Sequence, residues 1–233
     1  MLADADIASI AELLADQARA KIVLTLSDGR KLTAGVLAHA AGLSPSGASA
    51  HLRKLVEGGI LAVERCGRHR DYHLADSRFV NVLEGLAAIA RPAEAETLQE
   101  GFSARAIRLG RMCYDHLAGV LGVAIADALV REGSLIPAGD AYDLTPRGLE
   151  RFATLGIDMG SVVTAARRTR RPLTRMCLDW SERRPHVAGA LGAALAARVL
   201  EIRWLERLPA TRALRITNAG RRALRRAFDV ALE

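Results

Sequence analysis

The chain is poor in aromatic residues. Two Trp, three Tyr and four Phe among 233 residues leave its cores to Ala, Leu, Val and Ile. It has three cysteines, an odd number that excludes a fully paired disulfide framework. No apolar run reaches the length needed to span a bilayer, and the longest, Leu117–Val130, is broken by Asp127. The first residues, Met1-Leu-Ala-Asp4-Ala-Asp6, lack the basic stretch of a secretory signal. Reduced thiols, no membrane association and a cytoplasmic location are therefore expected. No nucleophile elbow, phosphate-binding loop or zinc-protease helix occurs, so an enzyme is not expected. A thiol–imidazole pair of Cys113 with His116 is the enzymatic alternative.

What is present is enough apolar material, 50% of the residues, for two compact domains. The net charge of +7 is unevenly spread. Residues 1–97 hold 11 Lys/Arg against 12 Asp/Glu, and residues 98–233 hold 22 against 14. Within residues 19–70 the count is 9 basic against 3 acidic, so a locally basic segment has acidic flanks. Local positive charge suits a polyanionic partner.

That basic segment contains the most telling stretch, Leu43-Ser-Pro-Ser-Gly-Ala-Ser-Ala-His-Leu-Arg-Lys-Leu55. Ser44 suits a helix N-cap and Pro45 the first helical position. Ala48, Leu52 and Leu55 fall on one helical stripe. Ser46, Ser49, Ala50, Arg53 and Lys54 lie mostly off it; small residues admit a helix to the major groove, and the cations reach phosphates or base edges. Gly58-Gly59 stops the helix. Ile60–Arg65 reads as a strand, Cys66–Arg70 as a turn and Asp71–Leu74 as a returning strand. Arg65, Arg68, His69 and Arg70 crowd the hairpin tip, where basic groups can track phosphates or enter the minor groove. Upstream, Glu12–Leu26 has an amphipathic helical pattern, and Leu32–Leu43 reads as a short helix with a glycine turn.

Together these pieces resemble the ArsR/SmtB family of winged-helix repressors. Leu14–Ile22, Leu43–Leu55 and Gly67–Leu74 carry the resemblance, which covers roughly residues 5–90. It implies a homodimer that sets one recognition helix per subunit on a palindromic double-stranded DNA operator. In that reading Ser44, Ser46, Ser49, Ala50, His51, Arg53, Lys54, Arg65, Arg68, His69 and Arg70 bind DNA. The family's first and last helices usually form the dimer interface, here with stripes of Ile7, Ile10, Leu13 and Leu14 and of Phe79, Val82, Leu83, Leu86 and Ile89. The same stripes also suit an ordinary core. The common metal sites of the family are missing: Thr33–Ala38 has no thiol and Ser77–Ala90 no histidine. His39, His51 and His73 are isolated and read as surface or packing residues.

The polar, proline-containing Arg91–Thr97 marks the expected domain boundary, giving a winged-helix domain at 1–97 and a C-terminal domain at 98–233. The latter repeats itself. Cys113-Tyr-Asp-His116-Leu-Ala-Gly119-Val-Leu-Gly122 parallels Cys177-Leu-Asp179 and then, after an insertion, His186-Val-Ala-Gly189-Ala-Leu-Gly192. Tyr142–Gly148 parallels Leu214–Gly220, and the offset drifts from 64 to 70 to 72 residues. Repeats at about 103–160 and 165–230 are expected, each reading helix, helix, strand pair, helix and resembling a degenerate winged helix. The expected fold is mainly α with small β-hairpin wings. The four glycines point to close helix–helix packing or ligand access.

Cys113 and His116 are expected i, i+3 on one helix, with Cys177 and His186 as counterparts. Two thiols and two imidazoles suit tetrahedral zinc, with Asp115 and Asp179 orienting the histidines. A purely structural cluster is the foremost reading, ahead of a pocket for a small organic effector and of metal or thiol-redox sensing. Trp180, Arg183 and Arg184 on the inserted loop, with Tyr114 and Trp204, favour the effector. Arg167–Arg171 with Arg175 is the densest positive patch, a candidate for flanking DNA. The expected function is a dimeric repressor modulated through its C-terminal domain. The alternative is a winged-helix protein-interaction module without specific DNA binding.

Overall fold

The computed structural model describes residues 5–67, 69–91 and 98–231. It is mainly α-helical with small antiparallel hairpins. The chain forms two compact units that divide between Leu83 and Glu84, with Pro209–Arg212 grouped with the first.

The first unit opens with α1 (Ile7–Ala15) and α2 (Gln17–Leu26). The continuous helix expected over Glu12–Leu26 is therefore broken. Asp16 takes an extended backbone (φ −81°, ψ 127°) and caps α2 by accepting from the Arg19 N–H. Next come β1 (Leu32–Thr33), α3 (Ala34–Ala41), α4 (Pro45–Glu57), β2 (Leu61–Cys66) and β3 (His69–Leu74). The strands form one antiparallel sheet in the order β1-β3-β2. Ser44 caps α4 by accepting from the Gly47 N–H at 3.2 Å. Ala48, Leu52 and Leu55 are buried, as their spacing requires. With Ile22, Leu26, Leu37 and Ile60 they make the core, each large side chain worth about 1.5–3 kcal/mol on burial. The two glycines after α4 differ in purpose. Gly59 has φ +70°, whereas Gly58 has ordinary angles and leaves room for Leu13 Cδ1, which a Cβ there would strike. The wing turn is shorter than the sequence suggests, because His69 and Arg70 already belong to β3 and Cys66 pairs with His69. Helix α5 (Arg78–Ile89) spans the division between the units.

The second unit passes twice through the order helix, hairpin, helix, hairpin, helix. The first pass is α6 (Leu98–Leu109), β4 (Arg111–Cys113), β5 (His116–Ala118), α7 (Gly119–Arg131), β6 (Leu135–Ala138), β7 (Ala141–Leu144) and α8 (Pro146–Thr154). The second is α9 (Met159–Thr169), β8 (Arg175–Leu178), β9 (Pro185–Ala188), α10 (Gly189–Glu201), β10 (Leu205–Arg207), β11 (Leu214–Ile216) and α11 (Asn218–Phe228). Each pass thus has a hairpin before its central helix that the expected order of elements lacked. Leu121, Ile125, Leu129, Phe152, Leu191, Leu195, Leu224 and Phe228 share one apolar cluster.

The central helices do not cross glycine to glycine. Helix α7 packs on β9 of the other pass, and α10 packs on β5. A Cβ at Gly122 would lie 2.5 Å from Leu117 O and 3.6 Å from His186 Cβ. A Cβ at Gly192 would collide with Val187 O and lie 3.2 Å from His116 Cβ. These glycines bring each helix close to the strand before it and to the opposite histidine. We expect Gly192→Ala to destabilise the protein by about 1–3 kcal/mol in urea denaturation, because the clash is with backbone. Gly35→Ala, where a Cβ meets nothing within 4 Å, serves as the control and should cost nothing.

Candidate nucleic-acid interface and a buried cysteine–histidine cluster

On α4, Ser46, Ser49, Ala50, Arg53 and Lys54 are all exposed. They form the face opposite the buried Ala48, Leu52 and Leu55, a division that follows from the 3.6-residue repeat. Ser44 is exposed as well, but its hydroxyl is committed to the cap and lies 3.1 Å from Ser46 Oγ. Ser49 donates to Pro45 O at 3.0 Å, so its hydroxyl oxygen can still accept. His51 is different: it is half-buried, with Nδ1 3.4 Å from Asp16 Oδ1 at the α2 cap. Its geometry is that of a residue that positions α4. In the wing, Arg65, His69 and Arg70 are exposed, and Arg68 lies outside the described residues. Behind the tip, Glu64 is neutralised by Lys31 at 2.6 Å, whose hydrogen bond holds its carboxyl below the ordinary value.

In the second unit, Cys113, His116, Cys177 and His186 are all buried, and one ligand atom from each lies within 4.8 Å of the others. Among the described residues this is the one such group of potential metal-ligating side chains. Hairpins assemble it. Cys113 and His116 do not share a helix, as their spacing suggested; they face each other across β4 and β5 as register partners. Gly110 ends α6 early, and Tyr114, at φ 59°, makes a two-residue turn with Asp115. Cys177 and His186 are register partners across β8 and β9 in the same way. The unequal sequence spacing reflects only the longer loop 179–184. The two imidazole centroids are 5.1 Å apart.

Each histidine stands beside an aspartate. His116 Nδ1 lies 3.3 Å from Asp115 Oδ1. His186 Nδ1 lies 3.5 Å from Asp179 Oδ2, close enough for an ion pair but without hydrogen-bond alignment. Each aspartate is in turn held by an arginine from the other pass. Arg171 binds Asp115 through both guanidinium nitrogens, and Arg111, wholly buried, reaches Asp179 at 3.1 Å and Glu84 at 3.4 Å. Asp179 also accepts from the Gly119 N–H at 2.6 Å and from Ser181 N–H and Oγ–H, which shapes the inserted loop. Burial alone would raise both carboxyls. The His116 and Arg171 hydrogen bonds nevertheless hold Asp115 down to about 2, and Arg111 with Ser181 and Gly119 holds Asp179 far below its usual range. A hydrogen bond from Cys113 pulls the Cys177 thiol strongly down against its burial, aided by His116 and His186. Burial opposes a charge on His116, but Asp115 and Cys177 raise it.

The other residues read as candidate effector contacts do not join the cluster. Trp180 lies under the Arg111 guanidinium, 4.8 Å from it. Arg183 and Arg184 are exposed, and Arg184 pairs with Asp127 at 2.6 Å. Trp204 borders a shallow depression with Arg151, Arg198 and Arg226, which contains none of the four cluster residues.

A helix-turn-helix domain model matches residues 14–64. Over 227 residues the chain is 44% identical to the HTH-type transcriptional regulator YdfF of Bacillus subtilis (strain 168), an alignment covering 97% of this chain and 99% of that one. The chain belongs to the HTH-type transcriptional regulators. Solved structures similar to its N-terminal part include the cadmium metal-sensor CMTR from Mycobacterium tuberculosis, 32% identical over 39% of this chain and 99% of that one, with a TM-score of 0.32. NolR from Sinorhizobium fredii is 24% identical over 40% of this chain and 100% of that one, with a TM-score of 0.34.

Within this transcriptional regulator, the arginines at the cluster escaped sequence reasoning. In the sequence Arg171 reads only as part of a basic patch at the end of α9, where cations also suit the helix C-terminus. Arg111 carried a usable signal: Arg111-Met-Cys113 recurs as Arg175-Met-Cys177. We expect Arg111→Met to cost the regulator about 3–5 kcal/mol in urea denaturation at neutral pH, because Asp179 loses its buried guanidinium. Arg184→Met removes an exposed pair and should cost no more than about 1 kcal/mol. Equal losses would show that Asp179 does not depend on Arg111.

Proposed function

We propose that the chain is a dimeric, cytoplasmic repressor that reads its operator with α4 and the β2–β3 wing and takes its control through the C-terminal unit. The observation that carries the reading is the exposed strip of Ser46, Ser49, Ala50, Arg53 and Lys54 on a helix whose opposite face is fully packed. Such a strip offers small residues for close approach and two cations for phosphates or base edges. Arg65, His69 and Arg70 add positive charge where a wing meets the backbone, and Arg68 joins them on sequence alone. Ser44 and His51 enter as residues that cap and position α4.

Dimerisation is supported by unburied apolar side chains. Helix α1 has no buried residue, and Ile7 is 73% exposed. Helix α5 exposes Val82, Leu86 and Ile89, the last by 82%. A second subunit would cover such surface. Control through the C-terminal unit requires a ligand that distinguishes two states of the protein, since only its differential affinity can shift operator binding.

Fluorescence anisotropy with DNA from upstream of the protein's own gene tests the contacts. Arg53→Ala should weaken operator binding by about 1–3 kcal/mol, and Ser49→Ala should weaken it in the same direction. Arg68→Ala should lower the salt dependence by about one counterion while sparing specificity. Unchanged binding in all three variants overturns the assignment. In sedimentation equilibrium, the double variant Val82→Glu, Ile89→Glu should be monomeric where the wild type is a dimer.

A further inference from the structure

We propose that Cys113, His116, Cys177 and His186 bind one zinc ion in a closed tetrahedral site that joins the two halves of the C-terminal unit. The inference is independent of the operator reading, because it concerns the second unit alone and is read out without DNA.

Three kinds of observation point to an ion. The first is the donor set: two sulfurs and two imidazoles from two matched hairpins, a complete ligand set for structural zinc. A tetrahedron with arms of about 2.0–2.3 Å has edges of roughly 3.3–3.8 Å, so donors spread over at most 4.8 Å need to contract by only about an ångström.

The second is unmet demand for partners. His116 Nε2 and both ring nitrogens of His186 are buried without a hydrogen bond. Buried polar atoms nearly always have a partner, and one left without it keeps its full desolvation penalty. A purely structural cluster offers these rings only the neighbouring Cys177 sulfur, a weak partner. An organic effector needs room among them, and the four donor atoms already lie within 4.8 Å of one another. A single ion at the centre satisfies Nε2 of both rings at once.

The third is the surrounding shell. His116 Nδ1 already faces Asp115, and His186 Nδ1 lies 3.5 Å from Asp179 Oδ2. Carboxylates at Nδ1 fix the tautomer that presents Nε2 to a metal. Both carboxylates are pinned by arginines from the opposite repeat, so the rings are oriented before the ion arrives. Loading Zn2+ expels the two thiol protons to solvent, while Nε2 of each Nδ1-protonated imidazole binds through its lone pair. With four protein ligands and no fifth position, the site has no place for a reacting water, and its work is to hold the repeats together.

The test is metal analysis and cobalt substitution of the full-length protein, purified under reducing conditions. We expect about one zinc per chain by inductively coupled plasma mass spectrometry, and a lower melting temperature after chelation that added zinc restores. Co2+ added to the stripped protein should give the intense visible bands of tetrahedral thiolate coordination. Cys113→Ser and His186→Gln should abolish these bands, and Cys66→Ser should leave them intact. Should those ligand variants fail to fold, Asp115→Ala keeps all four ligands and should weaken zinc in a chelator competition by about 10- to 100-fold. A wild-type protein that takes up neither zinc nor cobalt overturns the proposal. So do a cobalt spectrum indifferent to the four residues, and binding confined to copper(I).

Discussion

The second unit is organised by two guanidinium–carboxylate contacts that run between its repeats. Arg111 reaches from the first repeat to Asp179 in the second, and Arg171 returns from the second to Asp115 in the first. Buried charges such as Arg111 and Asp179 are tolerable only in mutual contact with further donors, and breaking such a pair leaves a desolvated charge behind. The geometry around them follows. Asp179 draws the 179–184 loop inward, secures the start of α7 through Gly119 N–H and faces His186. Asp115 sits in the tight turn that sets Cys113 opposite His116. The electrostatics of four side chains thus set the place and orientation of two thiols and two imidazoles.

The two units solve different problems. The first builds a conventional apolar core beneath α4, which frees the opposite helix face to carry polar and basic groups. The second spends its polar groups internally, at its centre. A chain arranged this way keeps the polar and basic face of α4 on the surface and its most costly buried groups away from solvent.

The winged-helix domain was largely legible in the sequence. The Ser44 cap, the Ala48–Leu52–Leu55 stripe and the wing strands each follow local rules that tertiary context does not overturn. Asp16 was missed as a cap because an apolar periodicity runs across it on both sides. In the second half the repeat is visible as recurring residues, yet the hairpin before each central helix reads as helix. Three-residue strands carry no periodicity of their own, and a Cys-x-x-His spacing fits a helical face as well as a two-residue turn. The choice was made by Gly110 and by the left-handed Tyr114, a backbone state that a tyrosine does not advertise. The partnership of Arg111 with Asp179 spans 68 residues and has no local signature at all.

The exchanged packing of the central helices carries a lesson about ancestry. Helix α7 rests on β9, and α10 rests on β5, so each repeat supplies the floor on which the other's helix lies. One repeat cut from the chain would have a bare helix and half of a ligand set, and pairing with a second copy of itself would restore both. The C-terminal half therefore has the arrangement of a two-fold dimer within a single polypeptide, and the longer loop 179–184 is where the second copy departs from the first.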